Sequence, residues 1–337
     1  MNDIEHIHGT LSFFLSFDRI ISIFSGYTFK MPSLSKVKSS NAAISLAGKY
    51  AVVCGGTSGI GRGIALRLAQ SRASVTIIGR NEEEGGRIVR EMEAISNTRP
   101  VEQGEVAPPR YGFVRCDASL ISNIKECSET LVQTHKQLDI LVLSQGIASV
   151  DGYTPTSEGI ERKLAVHYYG RIAFAKCLVP FMEATAGHPK ILSVLSAGVH
   201  APYAAYDTDP DLERNFSLKN AADAAGLYND IGLDCLSKEH TRSTFIHSCP
   251  GLVTTNWGSE FPWYLRGPVR ALQIFGRSAA DCAEWHLFSL MNKAHQPGGF
   301  YLVDQNGDET RVTAMHDTAR DTVWKHTEEV LAKFGVE

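Results

Sequence analysis

The sequence predicts one α/β domain built on a single doubly wound, parallel, seven-stranded sheet. From Lys49 onward, short apolar runs rich in β-branched residues alternate with longer segments of helical periodicity, a pattern typical of βαβ units. A glycine-rich turn joins the first apolar run to the first helical segment. We find no internal repeat and no sign of a second domain in the 337 residues, so one large core is expected.

Each element follows from a local pattern. The predicted strands are 49–55, 73–79, 111–117, 138–146, 190–196, 243–251 and 299–304, and the helices between them are 61–72, 81–95, 119–136, 158–182 and about 220–240. The run 138–146 is apolar without alternation, which predicts a strand buried on both faces. Three prolines in 98–110 predict a surface loop.

The predicted domain spans residues 48–310, followed by a helical tail over 311–337 and preceded by a flexible extension over 1–47. Within the extension, Asp18 and Arg19 interrupt the apolar run 11–24. The run is therefore shorter than the ~20 residues that span a bilayer, and the acidic stretch before it fits a signal peptide poorly. A peripheral amphipathic anchor, a mitochondrial presequence and an extension ahead of an alternative start at Met31 stay open. We favour the last.

Composition excludes several classes of protein. A net charge of −4 without a long basic run argues against a nucleic-acid partner. Seven scattered cysteines form no C-x-x-C pair and the twelve histidines form no ligand pattern, so we expect reduced structural thiols and no metal site.

The glycine-rich turn is the strongest functional signal. The segment 53–63 reads VCGGTSGIGRG and places Gly55, Gly59 and Gly61 between the first strand and the first helix. Such glycines permit a tight turn and a close approach of the backbone to a pyrophosphate, which the helix N-terminus then binds. The turn predicts a dinucleotide site whose contacts include Gly55, Thr57, Ser58, Gly59, Ile60 and Gly61.

With this turn and strand order, the chain resembles the short-chain dehydrogenase/reductase family over most of residues 48–305, with Cys54 in place of the usual threonine of T-G-x-x-x-G-x-G. The resemblance implies a Rossmann fold and a nicotinamide cofactor. It also implies that Asp117 contacts the adenine. Ser144 and Gly146 stand in the place of the family's N-N-A-G motif and would line the site. The P-G motif begins at Pro250, and the resemblance implies that its Thr255 holds the nicotinamide amide.

Two arginines predict which dinucleotide is preferred. The second strand ends in Gly79-Arg80 rather than in an acid that would accept the ribose 2′-hydroxyl of NAD. Arg80 and Arg62 are placed to bind a 2′-phosphate, so we expect NADP(H) in preference to NAD(H). The alternative is that both are solvated surface arginines.

The family's catalytic set is incomplete. The resemblance aligns Ser196 with the family serine and His167 with the usual asparagine, whereas Asn220 and Ala224 fall at the positions of the Tyr-x-x-x-Lys pair. None of the eleven tyrosines has a lysine four residues later. The pair that donates a proton and lowers the tyrosine pKa in such enzymes is therefore absent.

Substitutes for that pair lie nearby in the sequence. Tyr203 and Tyr206 follow Ser196, and we expect Tyr206 to be the proton donor and Lys219 the ammonium group. A surface tyrosine and a helix-start lysine are the alternatives. His167 titrates near neutrality and could relay the proton, although a packed helix residue would need no such role.

The segment 256–276 follows the P-G motif where the family places its substrate lid. It contains Trp257, Phe261, Trp263, Tyr264 and Leu265. This composition predicts a bulky hydrophobic substrate, with a dimer contact or a peripheral membrane contact as alternatives.

Together these features predict an NADP(H)-dependent oxidoreductase that reduces a carbonyl or oxidises an alcohol on a hydrophobic small molecule, in specialised metabolism. The competing hypothesis is a catalytically silent NADP(H)-binding sensor or interaction protein. We expect a cytoplasmic protein, with membrane contact disfavoured, and the resemblance implies a homodimer as one option. Fold alone does not decide between the two functions.

Overall fold

The computed structural model describes residues 32–97, 107–255, 266–267, 270 and 273–337. Its centre is a seven-stranded parallel sheet in the order β3-β2-β1-β4-β5-β6-β9. The strands are β1 (Tyr50–Cys54), β2 (Ser74–Gly79), β3 (Tyr111–Arg115), β4 (Ile140–Leu143), β5 (Lys190–Val194), β6 (Thr244–Ser248) and β9 (Phe300–Val303). The predicted doubly wound parallel sheet is confirmed.

Helices cover both faces of this sheet, because its central strands carry apolar side chains on both sides. The helices are α1 (Leu34–Ala42), α2 (Gly59–Gln70), α3 (Glu82–Asn97), α4 (Ile121–Thr134), α6 (Leu218–Glu239), α7 (Ala279–Leu290) and α8 (His316–Ala332). One buried cluster packs α4, α6 and α8 against the sheet, and a second packs α2, α3 and α7 against the other face. All four residues of β4 are buried, as expected for a central strand.

Helix α5 has three consecutive parts. It begins α-helical at Arg162–Leu164, continues as a π-helical turn over Ala165–Tyr169 and ends α-helical over Gly170–Thr185. Its α-helical part contributes Ile172, Phe174 and Leu178 to the core. A π-helical turn inside an α-helix is rare and often marks a functional position. Here it contains His167.

The region that follows the sixth strand differs from the prediction. Strand β6 ends at Ser248 rather than at Gly251, whose φ of +69° ends the extended conformation. A separate two-stranded parallel pair then joins β7 (Val253–Thr254) to β8 (Arg277–Ser278). This pair fixes both ends of the segment predicted to be the lid. Residues 256–265 of that segment, with its five aromatic and apolar residues, lie outside the described residues.

The predicted flexible extension needs correction in its C-terminal part. Residues 34–42 form helix α1, with Ser33 as N-cap, and Val37 and Asn41 are buried. The Asn41 side chain donates to the backbone oxygen of Glu284 at 2.8 Å and to its carboxylate at 2.7 Å, which ties α1 to α7. The sequence pattern missed this because α1 is polar and is held by long-range contacts. Residues 1–31 lie outside the described residues.

The C-terminal segment 311–337 contains α8, which packs against α6 through Ala319, Val323 and Leu331 in the larger core cluster. Among the helices that the structure describes, none is long and apolar enough to cross a membrane.

Candidate active site

A crevice of about 690 Å³ opens at the carboxyl ends of β1 and β4. The strand order reverses between these two strands, and ligands of open α/β sheets bind at such switch points. The walls include eleven of the thirteen residues predicted to contact a cofactor: Gly55, Thr57, Ser58, Gly59, Ile60, Arg80, Asp117, Ser144, Gly146, Pro250 and Thr255. The structure therefore brings together residues that are almost two hundred positions apart.

Two glycines of the turn, Gly55 and Gly61, have no space for a side chain. A Cβ atom on Gly61 would lie 2.3 Å from the backbone oxygen of Gly55. Gly55 itself has a φ of +76°, and a Cβ there would lie 2.7 Å from the backbone nitrogen of Gln145. Gly61 is therefore a packing residue beneath the turn rather than part of the crevice wall. Both glycines hold the turn tight against β4.

The N-terminus of α2 points its backbone N–H groups at this turn. Ser58 is the N-cap in an extended conformation, but its side chain makes no capping hydrogen bond. The first N–H groups of α2 are thus left without the usual side-chain acceptor. An anion such as a pyrophosphate satisfies such groups and interacts favourably with the helix dipole.

At the β2 and β3 side of the crevice lie Arg80 and Asp117. Arg80 directly follows β2 and is exposed. Asp117 accepts hydrogen bonds from the backbone N–H and hydroxyl of Ser119, at 3.0 and 2.7 Å, which fixes its carboxylate. Arg62 behaves differently, because its guanidinium is bound to Glu91 on α3 at 2.6 Å and it is not part of the crevice wall.

The opposite wall follows β6. Pro250, Leu252, Val253 and Thr255 line it, and the Thr255 methyl lies 3.5 Å from where a Cβ on Gly59 would be. The Thr254 hydroxyl donates a hydrogen bond to the backbone oxygen of Gln273 at 2.6 Å. This bond holds the C-terminal end of the predicted lid against the wall. Ile274 and Phe275 are exposed beside it, at 78% and 85%.

Ser196 lies just beyond β5, whose end contributes Val194 and Leu195 to the crevice wall. Its backbone is held from both sides, because its N–H donates to His247 Nε2 at 3.1 Å and its oxygen accepts from His200 Nδ1 at 3.0 Å. The Ser196 Oγ is buried and has no hydrogen-bond partner among the described residues. Ser196 itself is not part of the crevice wall.

Asp230 on α6 connects the two histidines. Its Oδ1 lies 2.5 Å from His247 Nδ1 and its Oδ2 lies 3.3 Å from His200 Nε2. Since His247 Nε2 accepts a hydrogen bond from Ser196, its proton resides on Nδ1. His200 Nδ1 donates to the Ser196 oxygen, and its Nε2 lies 3.3 Å from the Asp230 carboxylate. Burial alone would lower the pKa of His200, but the Asp230 carboxylate outweighs burial and raises it.

His167 lines the crevice from the π-helical turn. Its Nε2 accepts the N–H of Ile147 at 3.0 Å, and its ring blocks side chains at Gly146, where a Cβ would lie 3.3 Å from Nε2. Burial, with the positive charges of Arg171 and Lys163, lowers the pKa of His167 to about 3. The imidazole is therefore neutral at physiological pH and orients the chain after β4.

The other predicted catalytic groups lie away from the crevice wall. Tyr206 packs against the larger core cluster, and Lys219 is mostly exposed and paired with Asp223 at 2.5 Å. Tyr203 donates to the backbone oxygen of Asp209 and Tyr228 to that of Pro210. These are packing and turn contacts. Of the four predicted catalytic residues, only His167 lines the crevice.

The crevice residues that were absent from the prediction include three long polar side chains, Gln145, Arg162 and Arg171. Arg171 was detectable in the sequence as the lone charge in the apolar stretch 164–175. Gln145 carried no such signal, since it stands in a strand-to-loop segment where a polar residue is ordinary.

Comparison with known proteins places these features in context. The profile of the short chain dehydrogenase family matches residues 49–207. The chain is 30% identical to Oxidoreductase AN1596 of Emericella nidulans over 343 residues, covering 89% of this chain and 98% of that protein. It is 32% identical to Oxidoreductase andH of Emericella variicolor, covering 67% and 64%. A short chain dehydrogenase from Burkholderia cenocepacia, solved in complex with NADP, shares the fold with a TM-score of 0.55 at 21% identity, covering 77% of this chain and 98% of that chain.

Proposed function

The chain belongs to the short-chain dehydrogenase family, and from that premise we propose that it is an NADP(H)-dependent oxidoreductase. In this proposal it reduces a carbonyl or oxidises an alcohol on a hydrophobic small molecule. The observation that carries the proposal is the crevice, where a tight glycine turn, a helix N-terminus without a side-chain cap and the exposed Arg80 lie together, as a phosphorylated dinucleotide requires.

The described residues fit such a cofactor. The first N–H groups of α2 would hold the pyrophosphate, and Gly55 and Gly61 would keep the turn beneath it tight, since a Cβ at either glycine would clash with backbone atoms. Arg80 would bind the 2′-phosphate and Asp117 the adenine side, while Thr255 would hold the nicotinamide amide. When bound, the cofactor supplies or accepts the hydride.

Arg80 rather than Arg62 supports NADP(H) in this proposal. The Arg62 guanidinium is already neutralised by Glu91, whereas Arg80 has no ion-pair partner among the described residues. A guanidinium that is charged and unpaired before binding gains most from a phosphate. Arg80→Ala should therefore weaken NADPH binding by at least about tenfold and leave NADH binding within about twofold.

The chain's own residues would orient the substrate. Ser196 is held by two histidines directly after β5, and its unpartnered hydroxyl would donate a hydrogen bond to the carbonyl oxygen after rotation about χ1. His167 would keep the chain after β4 in place through the Ile147 N–H. The predicted roles of Tyr206 as proton donor and Lys219 as ammonium group would require the segment 200–219 to move.

A specific observation favours the second candidate, a silent NADP(H)-binding protein. No tyrosine and no lysine of the described residues lines the crevice.

One set of measurements separates the two functions. Purified protein is titrated with NADPH by calorimetry and then assayed for NADPH consumption with lipophilic ketones, quinones and aldehydes.

Turnover that falls sharply in Gly61→Ala supports the enzyme. Tight NADPH binding without turnover on any substrate supports the silent protein. Absence of binding to either dinucleotide contradicts both.

A further inference from the structure

Arg171 is a fully buried cation at the inner end of the crevice. It lies on α5, 1% exposed, and its three hydrogen bonds go to neutral oxygens. Nη1 donates to Ser193 Oγ at 2.8 Å and to the Val194 backbone oxygen at 2.9 Å, and Nη2 donates to the Gln145 backbone oxygen at 2.6 Å. Its Nε has no hydrogen-bond partner among the described residues.

No carboxylate of the described residues forms an ion pair with Arg171. The nearest ionisable influence is the Cys54 thiol, and burial raises the pKa of that thiol so far that it stays neutral. Burial lowers the pKa of Arg171 to about 9, which still leaves the guanidinium charged at neutral pH. The contrast is Arg67, which is also buried but is neutralised by Glu284 at 2.9 Å. Arg171 therefore carries an uncompensated charge.

This charge lies at the nicotinamide end of the crevice rather than at the adenine end. Its hydrogen bonds go to the ends of β4 and β5, whereas Arg80 and Asp117 follow β2 and β3. The neighbouring Gln145 side chain is 5% exposed and lines the crevice, and both of its polar atoms lack partners among the described residues. Among the described residues, no anionic side chain is paired with Arg171, so its charge is not neutralised at the crevice.

We infer that Arg171 makes the site selective for the redox state of the dinucleotide, so that the chain binds NADPH more tightly than NADP⁺. The inference rests on the proposed function. The oxidised nicotinamide ring carries a positive charge and the reduced ring is neutral, so a buried cation nearby repels only the oxidised form. In a low-dielectric site such repulsion is strong and is little screened by salt. The same charge, after burial, contributes to the lowered pKa of His167, since it disfavours the protonated imidazole.

The selectivity would serve a reductase. A protein that favours the neutral ring takes up NADPH in the presence of NADP⁺ and releases the oxidised form readily after hydride transfer. Arg171 differs from the lysine of the family's Tyr-x-x-x-Lys pair, which is absent here, because it lies on α5 and binds the carboxyl ends of two central strands.

The test is the ratio of the dissociation constants of NADP⁺ and NADPH, measured by calorimetry on the full chain. Arg171→Met removes the charge, and Gln145→Glu adds a neighbouring anion while keeping the arginine. Both should lower the ratio by about tenfold, equivalent to about 1.4 kcal/mol. Arg171→Lys keeps the charge and should keep the ratio within about threefold. Arg67→Met disrupts a buried arginine outside the crevice wall and should change stability without changing the ratio.

A ratio that stays within about twofold in both Arg171→Met and Gln145→Glu overturns the inference, even if both dinucleotides bind. If Arg171→Met does not fold, Gln145→Glu alone decides. If the wild-type chain binds neither dinucleotide, the proposed function fails first. General damage to the site would weaken the binding of NADP⁺ and NADPH equally. The ratio of their dissociation constants therefore responds to the charge of Arg171 and not to a loss of folded structure.

Discussion

His247 Nδ1 lies 2.5 Å from Asp230 Oδ1, and neither side chain is exposed to solvent. The carboxylate also faces His200, and the two histidines hold the backbone N–H and oxygen of Ser196. Burial alone would raise the pKa of Asp230, but hydrogen bonds from both histidines lower it. One buried carboxylate thus links α6, β6 and the segment after β5.

Replacing Asp230 should be severely destabilising. Asp230→Asn removes the buried carboxylate that pairs with both His247 and His200, so we expect a loss of about 3–5 kcal/mol in the free energy of unfolding. Urea denaturation measures it. Glu329→Gln, which breaks an exposed pair with Lys325, is the control and should change stability by less than about 1 kcal/mol. A loss in Asp230→Asn no larger than in the control would contradict a stabilising role for this buried pairing.

Ser196→Ala should lower turnover without lowering the stability of the fold. The Ser196 Oγ is buried without a partner among the described residues, so its removal should leave stability unchanged or raise it by up to about 1 kcal/mol. Turnover should nevertheless fall by about a hundredfold, because the proposed donor to the substrate oxygen is lost. Thermal denaturation and steady-state kinetics measure the two effects.

Ser193→Ala, three residues earlier on β5, is the matched control. The Ser193 hydroxyl accepts from Arg171 and donates to Asn229 at 3.0 Å, so its loss should cost about 1–3 kcal/mol. Undiminished turnover in Ser196→Ala would remove this serine from the mechanism.

Adding one methyl group at Gly61 should disrupt the cofactor turn. The new Cβ would lie 2.3 Å from the Gly55 oxygen, so the turn must shift, and we expect a loss of about 1–3 kcal/mol in stability with at least tenfold weaker NADPH binding. Gly187→Ala is the control, because no heavy atom lies within 4 Å of a Cβ there. Wild-type affinity in Gly61→Ala would mean that the turn does not contact the cofactor.

The pH dependence of stability should contain a contribution from His167. Its pKa is about 3 in the folded chain and 6.5 without the fold, so below pH 6.5 the unfolded chain binds a proton that the folded chain does not. Stability should therefore fall as the pH drops from about 6.5 to 3. His167→Gln should reduce this slope by up to ~1.4 kcal/mol per pH unit. Urea denaturation at several pH values measures the slope, and an unchanged slope would refute the neutral histidine.

The sequence by itself determined the seven strands of the central sheet, the five helices between β1 and β6 and the position of the glycine turn, but not α1 or α7. These features depend on residues that are close in the chain: β-branched runs such as 140–143, helical periodicity, and glycines two and four residues apart. The boundaries of the central strands differ by only a few residues from those predicted, because burial on both faces leaves the same apolar run in the core. The pattern also located Arg80 and Asp117 at strand ends.

Only the tertiary structure decided which polar groups meet. Sequence spacing could not show that Glu91 neutralises Arg62, that Asp230 connects two histidines behind Ser196, or that Arg171 remains without an anion among the described residues. These relationships join separate helices and strands, and their energies depend on burial, which local pattern does not encode. For the same reason Tyr206 and Lys219, plausible by distance along the chain, are held outside the crevice wall by their own packing and ion pairing.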